Sequence, residues 1–220
     1  AAVARRSLLP CPVAAALAEV GSAEACLILI ENPEAVIPAF SLSRIVERFG
    51  HLAAIREALL GHADLPSTMR QLLLVKLSET LAEFVTAQRW LKQDRARRVA
   101  REACEQATVA LAAEVPQPQV RPLISHLRQS GQLTAGLLLR ALLSGNGMLF
   151  EEALAELSGL SPARVAGLVH DNRGGGVRAL LQQAGVPAAV IPAIRAAVEA
   201  LHEIGYAGEL GGTARLKRRV

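Results

Sequence analysis

Six cations crowd the stretch Arg89-Trp90-Leu91-Lys92-Gln93-Asp94-Arg95-Ala96-Arg97-Arg98-Val99-Ala100-Arg101, interrupted by a single acid, Asp94. Guanidinium forks pair bidentately with carboxylates and phosphates. A row of them is suited to holding an acidic or phosphorylated surface rather than to making or breaking bonds. On a helix, Arg97 stands one turn from Arg101, and Arg98 neighbours both Arg101 and Glu102. Trp90, the one tryptophan of the chain, lies beside the row. An indole there is either an anchor for a partner or a piece of core. Arg95, Arg97, Arg98, Arg101 and Trp90 are therefore the candidate partner-binding residues, with a solvated helix face as the plain alternative.

A second constellation runs from Ala153 to Leu168. Leu154, Ala155, Gly159, Leu160, Val165 and Leu168 match the packing pattern of a helix-turn-helix, with Ser161 as cap and Pro162 in the first turn of the second helix. A DNA-reading helix must offer side chains to base edges, and this one offers Arg164 and then His170. Any tight pair of helices obeys the same rule. A nucleic-acid-binding regulator using 153–170 and the basic tail (Arg215, Lys217, Arg218, Arg219) is the second functional reading.

The remaining polar groups form no reactive set. Gly174-Gly175-Gly176 before Val177-Arg178 resembles an anion cradle, but no strand precedes it and no Gly-Lys-Ser/Thr follows. It reads as a connector, and Arg173 with Arg178 retains only a weak phosphate-binding option. Glu199 and His202 form one Glu-x-x-His pair where a di-iron bundle needs two. No serine sits in a Gly-x-Ser-x-Gly elbow, and Cys11, Cys26 and Cys104 form no C-x-x-C pair. They read as reduced, buried thiols. No catalytic residue, metal ligand or cofactor site is expected, and the preferred function is a non-catalytic helical scaffold or regulatory module that binds another protein.

The elements that must position these groups are helices. Hydrophobic residues make up 51% of the chain and aromatic ones 3%, so the core is Leu, Ala, Val and Ile, a composition that favours helix over strand. The formal charge of +4 dissolves once located: four cations lie in the last six residues, leaving 24 − 4 = 20 basic against 20 acidic side chains. No apolar run approaches the roughly 20 residues that span a bilayer. With no secretory signal at the start, no membrane role and a cytoplasmic location are expected. The chain opens Ala1-Ala2 without methionine, which reads as a piece of a longer protein.

Proline and glycine punctuate the helices. Pro33-Glu34-Ala35-Val36-Ile37-Pro38-Ala39-Phe40 returns as Pro187-Ala188-Ala189-Val190-Ile191-Pro192-Ala193-Ile194, each copy leading into a helix expected to end at Gly50 or Gly205. Leu9-Pro10 returns as Leu65-Pro66. One helix from Pro66 places Met69, Leu72, Leu73, Leu77, Leu81 and Phe84 on its apolar side. The residues 88–113 are a long helix or two helices with a charged joint. Val115-Pro116-Gln117-Pro118 and then Pro122 should stop any helix, with helix resuming at Ile124. The expectation is an all-α protein: a HEAT-like α-α superhelix or helical array over 1–114, a second helical module over 119–206, and a basic tail over 207–220.

Several phrases resemble a bacterial family, domain of unknown function 2336. They are Ser43-Arg44-Ile45-Val46-Glu47-Arg48-Phe49-Gly50 with Ala58-Leu59-Leu60 and Asp64-Leu65-Pro66, then Gly131-Gln132-Leu133-Thr134 with Leu137-Leu138-Leu139-Arg140-Ala141-Leu142, and Arg178-Ala179-Leu180 before Ala184-Gly185-Val186-Pro187. The resemblance implies a cytoplasmic protein of HEAT-like helical repeats with no established activity, and supplies no catalytic residues.

Overall fold

Two kinds of residue open the helices. Ser22, Thr134, Asn146 and Ser161 each turn a side-chain oxygen back to accept a backbone N–H of the first turn, from Ala25, Leu137, Leu149 and Arg164 respectively. Pro10, Pro38, Pro66 and Pro116 occupy the same position before other helices, where their absent N–H costs nothing. In a computed structural model describing residues 1–7, 9–62, 65–171 and 175–207, the described chain is helical throughout, with no strand. After a 3-10 turn at Val3–Arg5 come α1 (Cys11–Val20), α2 (Ala23–Glu31), α3 (Ala39–Phe49), α4 (Ala53–Leu60), α5 (Ser67–Ala87) and α6 (Gln93–Glu114). These are followed by α7 (Gln117–Gln129), α8 (Ala135–Leu143), α9 (Gly147–Ser158), α10 (Pro162–Val169), α11 (Gly175–Gln183) and α12 (Ile191–Ala207).

The chain divides into two compact units, Ala1–Cys104 and Glu105–Val220. The division falls within α6 and upstream of the Val115–Pro118 cluster, because Val109 and Ala112 bury into the second core. That cluster does not stop the helices as expected. Pro118 lies in the first turn of α7 and Pro122 inside it, so α7 starts at Gln117 rather than Ile124 and gives up the hydrogen bond that an N–H at 122 would make.

In the first unit the proline caps of α1, α3 and α5 recur at a fixed interval, 38 − 10 = 28 and 66 − 38 = 28 residues. Each interval holds a helix pair, and helices pack on their next-but-one neighbours: α1 on α3, α3 on α5, α2 on α4. Leu29, Ile45, Ile55 and Leu59 are fully buried between them. Each such side chain contributes about 1.5–3 kcal/mol of burial. Arg48 ties successive pairs together. Its guanidinium donates to the carbonyls of Ala18 (2.6 Å) and Gly21 (2.8 Å) at the end of α1, and lies 4.5 Å over the Phe49 ring.

The second unit is built around α9, which packs against α7, α8, α10 and α11 and buries Phe150 and Leu154 completely, while α8 packs on α12. One buried carboxylate locks it. Glu105 accepts from the Thr134 hydroxyl at the N-terminus of α8 (2.7 Å) and from Arg140 Nε in its last turn (3.0 Å). The first turn of α8 carries Gly136, where a Cβ would fall 2.8 Å from Glu105 Oε2, so a larger residue would push the carboxylate out.

The two copies of the repeated phrase are used differently. Pro38 caps α3, whereas Pro192 is the second residue of α12, and Phe40 is exposed where Ile194 is fully buried. Helix α12 also continues through Gly205 to Ala207 rather than ending there. Of the tail expected over 207–220, Ala207 is the last residue of α12 and 208–220 lie outside the described residues.

Candidate functional site

The arginine row begins at a turn with an unusual residue in it. Helix α5 ends in a Schellman motif: the N–H of Arg89 donates to the carbonyl of Thr86 (2.9 Å) and that of Trp90 to the carbonyl of Val85 (3.0 Å). This closure needs a left-handed residue after the cap Gln88, and Arg89 supplies it at φ 58°. A side-chain-bearing residue there costs about 1–2 kcal/mol. The apolar contact that accompanies the motif is made by Trp90 against Phe84, edge to face with ring centroids 5.7 Å apart.

That contact does not bury the pair. Trp90 is 68% exposed and Phe84 49%, and Leu81, one turn earlier on α5, is also exposed. Helical spacing puts Leu81 and Phe84 on the apolar side of α5, but both are exposed. The apolar face of α5 is used only as far as Leu73 and Ala82, and its last turns stand open. Trp90 likewise is not core.

Immediately after this turn, α6 buries Ala96 and Cys104 and leaves Arg95, Arg97, Arg98, Val99 and Arg101 exposed. The six cations from Arg89 to Arg101 make no ion pair among the described residues. At a rise of 1.5 Å per residue, Arg95 and Arg101 are separated by about 9 Å along the helix. Several arginines elsewhere are engaged. Arg44 pairs with Glu19 and Glu47, Arg56 donates to the Gly50 carbonyl, and Arg121, Arg128 and Arg140 pair with Glu152, Glu156 and Glu105. The Arg44 guanidinium, donating to Glu19, holds that carboxyl below the usual range. The elbow therefore brings all five expected partner-binding residues to one exposed, uncompensated basic stretch with an aromatic pair at its start.

The second constellation folds as a tight hairpin. Gly159 ends α9 in a left-handed conformation (φ 72°) and Ser161 opens α10. The two helices pack, with Val165 and Val169 buried. Arg164 is exposed. His170 is also exposed, with its Nε2 3.0 Å from Glu151 Oε1 and its ring 5.8 Å from that of His202. Glu199, the other half of the Glu-x-x-His pair, bonds to Arg195 on its own helix. A groove of about 250 Å³ runs past Val169, Asp171, Arg195, Glu199 and His202. No group of three acids, histidines or cysteines able to hold a metal forms among the described residues. Arg173 and Gly174 of the glycine run lie outside them, while Arg178 is exposed on α11. Of the cysteines, Cys26 and Cys104 are buried, and burial pushes the Cys26 thiol up; Cys11 is exposed, because it opens α1 on a face the core does not use.

Two features of the elbow escaped the sequence reading. One is the exposure of Leu81 and Phe84, and the other is Arg89 in a glycine-type position. The available signal was the missing glycine after α5, since the like turns after α7, α8 and α11 carry Gly131, Gly145 and Gly185.

Fold and site together define an all-α helical array of two units, with a basic-aromatic elbow in the first. A family model described as "Uncharacterised protein conserved in bacteria (DUF2336)" matches residues 1–220, and the chain belongs to that family. No curated protein and no solved structure matches the chain. Among the described residues no helix is long and apolar enough to cross a membrane.

Proposed function

We propose that this chain is a non-catalytic helical scaffold, cytoplasmic and HEAT-like in its first unit, that docks another protein through the elbow between α5 and α6. The observation that carries the reading is the exposed Trp90–Phe84 pair beside cations that make no ion pair among the described residues. Tryptophan and arginine are the residues that most often dominate binding energy at interfaces. The 28-residue recurrence of proline-capped helix pairs supports the HEAT-like comparison, in a repeat shorter than the roughly 40 residues usual for that class.

The test is capture of partners from a native-type bacterial lysate by the wild-type chain, by Trp90→Ala and by Arg95→Glu/Arg98→Glu. A partner held by the wild type and lost by both variants supports the reading. A partner held equally by all three places docking elsewhere and overturns it.

The second reading, nucleic-acid binding through α9–α10, is favoured by the hairpin geometry. It receives little from the recognition face, where Arg164 is exposed but His170 is engaged by Glu151. Titration with duplex DNA at low salt decides it. Binding that weakens steeply with salt and with Arg164→Ala supports this alternative.

A further inference from the structure

We infer that the elbow recognises an acidic amphipathic segment of the partner protein, one apolar side chain seated on the Trp90–Phe84 pair and carboxylates one helical turn apart meeting the arginines of α6. The inference rests on the docking reading above and narrows it to a chemistry.

Charge complementarity selects the sign. The elbow holds Arg89, Lys92, Arg95, Arg97, Arg98 and Arg101 against Asp94, with Glu83 and Glu102 flanking, and none of these three acids forms an ion pair with any of the six cations. A basic or neutral segment would leave that field uncompensated. Five of the six cations are arginines, whose planar forks match carboxylate oxygens two at a time. Arg97 and Arg101 stand at i and i+4, so their guanidiniums meet carboxylates spaced the same way on a partner helix.

Charge alone does not account for the apolar half. Leu81, Phe84 and Trp90 stand exposed on the last turns of α5 and the turn that follows, immediately before the cations. A purely acidic chain would leave them in water. An apolar side chain seated on the Trp90–Phe84 pair removes that surface, while flanking acids satisfy the arginines around it. This arrangement, an aromatic anchor with a charged surround, is that of interface hot spots.

The experiment uses the full chain and a blocked, fluorescein-labelled helical peptide of about fifteen residues, with glutamates at i and i+4, leucines between them and no tryptophan. Two control peptides carry Gln for every Glu, or Ser for every Leu. Because Trp90 is the chain's only tryptophan, its emission reports on the elbow directly. Expected are saturable anisotropy with the acidic peptide, a blue shift of Trp90 emission, and binding at least roughly tenfold weaker for either control peptide. Arg97→Glu/Arg101→Glu and Trp90→Ala should each weaken binding by roughly tenfold at unchanged melting temperature, since these side chains lie outside both cores.

Failure of the acidic peptide to saturate overturns the inference, as does equal binding of the Gln peptide or indifference to the arginine reversal. Anionic phosphatidylglycerol vesicles or duplex DNA that shift Trp90 emission where the acidic peptide does not overturn it in favour of those surfaces. If lysate capture stays sensitive to the elbow variants while every acidic peptide fails, the chemistry is wrong and the docking reading stands. If capture ignores those variants, the docking reading fails as well.

Discussion

The turn after α5 and the turns after α7, α8 and α11 are closed by the same pair of backbone hydrogen bonds. In the second unit the left-handed residue is Gly131, Gly145 or Gly185; at the elbow it is Arg89. The contrast extends to charge. Arg121, Arg128, Arg140 and Arg195 of the second unit each pair with a glutamate, whereas the elbow's cations pair with none among the described residues. The second unit thus uses its special positions for folding. The elbow keeps a strained backbone, an unburied indole and cations without an ion pair among the described residues, and this is the physical ground for proposing a partner there.

The contrast can be broken at its strongest point first. Glu105→Ala leaves Arg140 and the Thr134 hydroxyl without their acceptor, so it should cost the second unit about 2–3 kcal/mol, less than a fully buried pair because Arg140 is a third exposed. Denaturant melts will read this, and a loss below about 0.5 kcal/mol would show the network to be idle. Arg48→Ala should cost about 1–2 kcal/mol by removing two carbonyl bonds and the contact with Phe49.

Smaller changes sharpen the elbow's side. Arg89→Gly should stabilise the chain by about 0.5–1 kcal/mol, as relief of left-handed strain exceeds the added freedom of the unfolded chain. Destabilisation would mean that Arg89 has a folded-state role that its exposure conceals. Arg95→Ala and Arg98→Ala should each lie within about 0.5 kcal/mol of wild type.

The smallest effect is a pH slope. Burial holds His126 of α7 below its ordinary range, so in the folded chain it stays neutral where the unfolded chain has begun to take up a proton. Its contribution is intact above about pH 6.5 and declines as pH falls below that value. His126→Gln should flatten the fall of melting temperature between pH 7 and pH 5.5 relative to wild type. An unchanged slope would remove the group from the account.

Much of this was legible in the residues. Ser22, Thr134 and Ser161 announced their helices, and the low aromatic content with abundant Leu and Ala announced an all-α chain. The charged stretch Lys92–Arg98 was visible as a break in apolar periodicity, and it opens α6 rather than dividing two helices. Pro116–Pro122 misled because a proline cluster reads as a stop, although prolines in a first turn are compatible with helix and the buried stripe Val120, Leu123, Ile124, Leu127 carries α7 past Pro122. Leu81 and Phe84 misled because helical spacing shows that residues share a face, and only packing shows whether anything covers it. The candidate site was half legible: its cations and indole stood out, while the strained turn that presents them depends on a backbone angle that residue type alone did not suggest.

The most direct test labels the chain with 5-fluorotryptophan, which gives one ¹⁹F resonance from Trp90, and follows it as a partner captured from lysate is added. The account predicts that the resonance shifts or broadens on binding, and that Arg95→Glu/Arg98→Glu abolishes both the change and the complex. A complex that forms with the Trp90 resonance unmoved would contradict it.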